Sequence, residues 1–202
     1  MCGIVGYTGK RNAVKVVIGG LEKLEYRGYD SAGIAVLNEG KISVEKYKGR
    51  LAVLEKHLKE NKLFGNTAIG HTRWASHGEP SDLNAHPHTS NDGLITLVHN
   101  GIIENYAILK EELLEKGYEF KTETDTESVV HLIHSLYKGD ILEAVIDAVA
   151  KIKGAYSLCV MCAKEPGRII AARKESPLIV GIGEGENFVA SDIPAVLEYT
   201  RD

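Results

Sequence analysis

Apolar positions along the chain change period several times, and each change marks an element. The run Ile4-Val5-Gly6-Tyr7 predicts an opening strand. From Asn12 to Glu25, Val14, Val17, Ile18, Leu21 and Leu24 recur at helical spacing, predicting a helix with one buried face and Gly28 placed to end it. Strand-like runs over Ala32 to Leu37 and Lys41 to Tyr47 flank Asn38-Glu39-Gly40 and predict a hairpin. An amphipathic helix around Arg50 to Lys59 and a strand around Thr67 to His71 follow, and Leu94 to Val98 reads as a strand running into His99-Asn100-Gly101. Helical spacing returns over Asn105 to Lys116, Thr126 to Tyr137 and Ile141 to Ile152, with Thr124 and Glu127 at capping-box spacing before the middle one.

Beyond that the pattern turns to strands over Ala155 to Ala163, Arg168 to Arg173, Leu178 to Ile182 and Asn187 to Ala190, closed by a short helix from Ile193 to Tyr199. Strands gather at both ends and helices in the middle, without strict alternation. That order predicts an α+β fold of antiparallel sheets packed face to face with helices outside. One stretch fits no period. Thr72 to Asp92 is rich in His, Pro, Ser, Asn and Gly, and so long a loop in a compact domain points to function.

Composition narrows the options. The 202 residues suit one domain, 1–202, with a proper core, and no internal repeat or linker divides it. A net charge of −4 provides no basic footprint for nucleic acid or an anionic membrane. No apolar run is long enough to span a membrane, and Met1 is followed by Cys-Gly rather than by a basic stretch and a long apolar core, so no signal peptide is expected. Three cysteines give no disulfide framework, so a reducing cytoplasm is the expected setting. The abrupt stop at Arg201-Asp202 leads us to expect a domain cut from a longer polypeptide.

Several patterns have plain structural readings. Cys159-Val160-Met161-Cys162 has CxxC spacing but lies in a β-patterned apolar run, so core cysteines are expected, not a redox pair or a zinc site. Gly181-Ile182-Gly183-Glu184-Gly185 leads into a strand and is expected to be a hairpin turn, not a phosphate loop. His131 and His134 with Glu127 could form a metal face but read better as a helix face against the core. His86-Pro87-His88 is expected to be structural or site-lining. No metal and no cofactor is expected.

The candidate chemistry starts at Cys2. Removal of Met1 would place a thiol and a free α-amine on one residue, and an amine titrating near ~8 can act as base for its own thiol. Cys2 alone also reads as a small buried hydrophobe. In His71-Thr72-Arg73-Trp74-Ala75-Ser76-His77-Gly78, Arg73 offers a fork for a carboxylate and Trp74 a lid-like surface. Asn100-Gly101, at a strand end, offers an amide donor beside a reachable backbone N–H, which suits an oxyanion hole. Together these describe an amide hydrolase.

Met1-Cys2-Gly3-Ile4-Val5-Gly6, Leu24-Glu25-Tyr26-Arg27-Gly28-Tyr29-Asp30-Ser31-Ala32-Gly33, His71-Thr72-Arg73-Trp74, Asn84-Ala85-His86-Pro87-His88, His99-Asn100-Gly101-Ile102-Ile103-Glu104-Asn105 and Thr124-Asp125-Thr126-Glu127 resemble class II glutamine amidotransferases. Within that family they are most similar to the glutaminase domains of the glutamine–fructose-6-phosphate aminotransferase (glucosamine-6-phosphate synthase) branch. The resemblance implies an N-terminal nucleophile hydrolase fold, a four-layer αββα sandwich of two antiparallel sheets. It implies Cys2 as nucleophile with its α-amine as base, and Asn100 and the Gly101 N–H as oxyanion donors. Arg73 would hold the glutamine α-carboxylate and Asp125 its α-amino group, while Trp74, Ser76 and His77 lie in a loop that closes over the substrate. Ser76 stands where the family usually has threonine. The implied partners are glutamine and C-terminal sugar isomerase domains of the same polypeptide, with the full enzyme a homodimer. The implied product of this chain alone is glutamate and ammonia, not an aminosugar.

Three other readings stay open at this point. The chain could be the glutaminase domain of another amidotransferase. His71, His77 or His99 could activate Cys2 with Met1 in place. A retained Met1 would make the Cys2 amine an amide and leave an inactive, precursor-like form, as in a glutamine-binding or regulatory module.

Overall fold

The computed structural model describes residues 2–75 and 78–202. Met1, Ser76 and His77 lie outside the described residues, so the expectations placed on them are not addressed by the fold. Among the described residues, ten strands form two antiparallel sheets. The six-stranded sheet contains β1 (Gly3–Thr8), β2 (Ser31–Asn38), β3 (Lys41–Lys48), β4 (Thr67–Arg73), β9 (Ile179–Gly183) and β10 (Glu186–Ala190), in the order β3-β2-β4-β1-β10-β9. The four-stranded sheet is β5 (His88–Thr89), β6 (Ile95–Ile103), β7 (Gly154–Cys162) and β8 (Ile170–Lys174), in chain order.

The alternation in the strands explains the layering. In β1, Ile4 points into the space between the sheets while Val5 and Tyr7 point outward. The inter-sheet layer joins Ile4, Ala35, Leu37, Ile69 and Val189 to Val98, Cys159 and Met161 of the other sheet. The outer face of the six-stranded sheet is covered by α1 (Ala13–Leu24) and α2 (Leu51–Glu60). Its counterpart is covered by α3 (Tyr106–Glu115), α4 (Thr126–Leu136) and α5 (Ile141–Val149), packing Val129, Ile133 and Val145 on Leu97, Leu158 and Val160. Both faces of the central strands are therefore buried, which is why β1, β2 and β7 read as nearly continuous apolar runs. This is the expected α+β, four-layer αββα sandwich.

Local chemistry sets the ends. The Asn12 side chain caps α1, its Oδ1 accepting from the amides of Val14 at 3.0 Å and Lys15 at 3.4 Å. The buried face of α1 uses Val16 as well as Val17, Leu21 and Leu24, with Val14 and Ile18 only partly covered. Gly28 does not end α1: a 3-10 turn over Glu25–Arg27 continues it, and Gly28 is extended. A Cβ there would sit 2.7 Å from the carbonyl carbon of Arg73, so the residue is small because β4 passes against it. The Thr124–Glu127 capping box does not form. Glu127 accepts from the amides of Lys121 at 2.9 Å and Thr122 at 2.7 Å, tying the incoming loop to the helix. The closing helix is reduced to a 3-10 turn, Ile193–Ala195.

Cys159 and Cys162 are both free and buried, on opposite faces of β7, one in the inter-sheet layer and one under the helices. Gly181 to Gly185 lies in the β9–β10 hairpin. His131 is fully buried, its Nε2 lying 3.1 Å from the Glu119 carbonyl. Among the described residues no cluster could hold a metal ion, and no helix is long and apolar enough to cross a membrane.

Candidate active site

Cys2 precedes β1, the strand held between β4 and β10. Register places Gly3 opposite Thr72 and Ile4 opposite His71, so the start of β1 lies beside the end of β4 and the loop beyond it. There the Trp74 amide donates to Cys2 Sγ at 3.1 Å, and Sγ lies 3.4 Å from the Trp74 carbonyl. Burial pushes the Cys2 thiol up from its ordinary value, and Asp30 adds to that rise, while the Trp74 N–H and Arg73 pull it down.

Asn100 and Gly101 sit within β6, not at its end, since the strand continues to Ile103. Gly101 has φ 116°, and a Cβ there would lie 2.1 Å from the Ala155 carbonyl oxygen across the ladder. Only glycine fits both demands. The Asn100 side chain spans the gap between the sheets, donating from Nδ2 to the Cys2 carbonyl at 3.0 Å. Its Oδ1 lies 2.9 Å from His71 Nε2.

Cys2, Arg73, Trp74, Asn100, Gly101 and Asp125 line one cavity of about 270 Å³, below the ~300–1,000 Å³ of drug-sized sites and suited to a smaller molecule. Arg73, at the end of β4, is buried and donates to the Gly78 carbonyl at 3.0 Å. Asp125 opens α4, and its carboxylate accepts from the Ile103 amide at 2.8 Å. The lining of the cavity thus includes a guanidinium, a carboxylate, a thiol and an amide. Of the sequence-expected residues, Ser76 and His77 alone lie outside the described chain.

Other lining residues were not singled out from the sequence for the site: Arg27, Ile102, Thr126 and the Ser176-Pro177 turn; His99, expected only as an alternative activator of Cys2, lines it too. His86, expected to be structural or site-lining, is here as well. Asp30 was missed too. It accepts from the Ala75 amide and from the Ser31 hydroxyl, at 3.0 Å for the latter, and so ties the Trp74–Ala75 turn to the start of β2. The long loop is anchored by Lys46, whose ammonium donates to the carbonyls of Leu83 at 2.9 Å and Ala85 at 2.8 Å. Burial holds that amine down at about 8.

Burial weakens the basicity of the histidines in and behind the cavity wall. Burial lowers His71 to about 3 and takes His86, His88 and His99 below the ordinary imidazole range. His71 and His86 stack at 4.2 Å, and His86 Nε2 and His99 Nδ1 share the Thr126 hydroxyl at 3.0 and 2.9 Å. Neither His71 nor His99 hydrogen-bonds the Cys2 thiol, which is engaged by Trp74.

Comparison with known proteins gives the family and the fold. A glutamine amidotransferase domain family model matches residues 71–198. Over all 202 residues the chain is 60% identical to a glutamine–fructose-6-phosphate aminotransferase (isomerizing) of Clostridium acetobutylicum and 59% identical to that of Clostridium perfringens, covering 33% of each. The chain thus spans about a third of the length of these relatives. Among solved structures, a glutamine phosphoribosylpyrophosphate amidotransferase of B. subtilis superposes with a TM-score of 0.85 at 28% identity, over 98% of this chain and 44% of that one. With its family model covering well over half its length, this chain belongs to the glutamine amidotransferase domain family.

Proposed function

We propose that this chain hydrolyses glutamine to glutamate and ammonia, with Cys2 as nucleophile once Met1 has been removed. The observation that carries the reading is the single cavity in which Cys2, Asn100, Gly101, Arg73 and Asp125 meet. Free glutamine is a zwitterion, so Arg73 pairs with its α-carboxylate and Asp125 with its α-ammonium. Each charge would be costly to leave unpaired in a closed site, which favours free glutamine over analogues lacking either group.

The α-amine of Cys2 takes the thiol proton as Sγ attacks the side-chain carboxamide carbon. The Asn100 amide and the Gly101 N–H stabilise the resulting oxyanion. The C–N bond then breaks, the amine returns its proton to the leaving nitrogen, and ammonia departs from a γ-glutamyl thioester. Water attacks that thioester with the same amine as base, releasing glutamate and restoring the thiol. The α-amine is preferred over an imidazole because burial lowers the proton affinity of His71 and His99 and both are hydrogen-bonded to groups other than the thiol.

By analogy with the relatives' names, the chain serves as the ammonia-producing part of a longer enzyme, which we further propose to be a dimer in the cytoplasm. Its isomerase domains would use that ammonia to aminate fructose 6-phosphate for aminosugar synthesis. Trp74, with Ser76 and His77, closes over bound glutamine. Intact mass and glutamate release test the reading together. Loss of the methionine mass, one affinity label on Cys2 and steady glutamate production are expected. Full turnover with Met1 retained would overturn the amine base.

A further inference from the structure

His71 lies behind the cavity wall on β4, fully buried, and does not line the cavity itself. Its Nε2 is 2.9 Å from Asn100 Oδ1 and 3.0 Å from the His99 carbonyl oxygen. The assignment of protons follows from the far end of the same carboxamide. That end is 3.0 Å from the Cys2 carbonyl, which can only accept, so it must be the NH2 group. The oxygen of Asn100 then faces His71. With two acceptors in front of it, Nε2 must carry the proton.

The other ring nitrogen agrees. Nδ1 of His71 is buried and has no hydrogen-bond partner among the described residues. A proton there would be an orphaned donor, whereas a bare nitrogen forfeits less. The ring plane is fixed by stacking on His86 at 21° between planes. Its N–H is therefore a fixed donor, not a base.

We propose that His71 is a positioning residue that acts through Asn100: its Nε2–H holds the carboxamide oxygen, so the NH2 group stays turned toward the reacting centre. This rests on the oxyanion role proposed for Asn100. A carboxamide turned by half a rotation would present oxygen to the developing oxyanion, exchanging attraction for repulsion. Without the His71 donor nothing on that side selects between the two orientations.

Steady-state glutaminase kinetics on H71L, H71Q, N100A and the H71L/N100A pair test the proposal. Loss of an oxyanion donor costs roughly 10²–10³ in kcat, and N100A should fall in that range. H71L should lose roughly 10²-fold in kcat with the glutamine KM within about threefold, because Asn100 stays present but unheld. H71Q can place a side-chain amide donor near the Nε2 position and should recover to within about tenfold of the parent. The double variant should be no slower than N100A alone. Unchanged Cys2 alkylation by iodoacetamide in H71L would show that the nucleophile is intact. Equal losses in H71L and H71Q, a loss in KM alone, or multiplying losses in the double variant would overturn the proposal. Parental turnover in N100A would instead overturn the oxyanion reading. Should H71L not fold, nitrogen NMR of histidine-labelled parent chain decides, since a proton on Nδ1 of His71 contradicts the assignment.

Discussion

The backbone amide of Trp74 donates to Cys2 Sγ across 3.1 Å, while its indole stands half exposed and edge-on to Tyr29 at 5.2 Å. The contact to the thiol belongs to the main chain and survives truncation of the side chain. We therefore expect Trp74→Ala to leave the alkylation rate of Cys2 within about threefold. Its glutamine KM should rise roughly tenfold, the loss of one aromatic contact of about 1.4 kcal/mol. A large change in alkylation rate would show that the indole, not the backbone, sets the thiol environment.

Arg73→Lys should raise the glutamine KM by roughly 10²-fold, since an ammonium cannot reproduce the two-pronged grip on a carboxylate. Arg73 also donates to the Gly78 carbonyl, so a lower unfolding midpoint should accompany the kinetic loss. Steady-state kinetics and thermal unfolding report the two effects separately.

Gly101→Ala should cost roughly 2–4 kcal/mol of stability, because a left-handed φ and a backbone clash fall on one residue. Urea unfolding measures it. A loss under ~0.5 kcal/mol would mean that β6 and β7 shift apart more easily than their ladder implies.

The four buried imidazoles give the fold an acid limit. His71, His86, His88 and His99 have pKa values lowered by burial, so below pH ~6.5 the unfolded chain binds more protons than the folded one. Stability should be full above that pH and fall as pH drops, for His71 continuing to about 3. Each histidine contributes up to ~1.4 kcal/mol per pH unit. A urea midpoint unchanged between about pH 7.5 and about pH 5 would contradict the burial.

Element types were legible because strong periods left few choices, and the candidate motifs stood out because the residues within each adjoin in sequence. What the sequence did not disclose is contact between distant segments. Gly28 looked like a helix stop, yet its size is set by Arg73 passing against it. Glu127 looked like a capping partner, yet it binds the loop before its helix. Asp30, whose carboxylate holds the Ala75 amide 45 residues away, carries no local signature of that task. Asn100 was read at a strand end because Asn-Gly suits turns, whereas β6 runs on through it, helped by cross-strand pairing with Ser157 and Tyr156.

β1 is hydrogen-bonded on both sides, to β4 and to β10, and begins at Gly3. The ladder therefore acts as a ruler whose zero lies one residue from the thiol. Side chains alternate along a strand, so the parity of the residue count before Ile4 decides which way the first side chain points. Deleting Gly3 would turn the thiol away, and inserting one residue after Cys2 would turn it likewise while moving it out by about 3.3 Å. The chemistry at the tip is thus guarded by arithmetic: in so short a lead, an addition or removal of a single residue has no slack to absorb it.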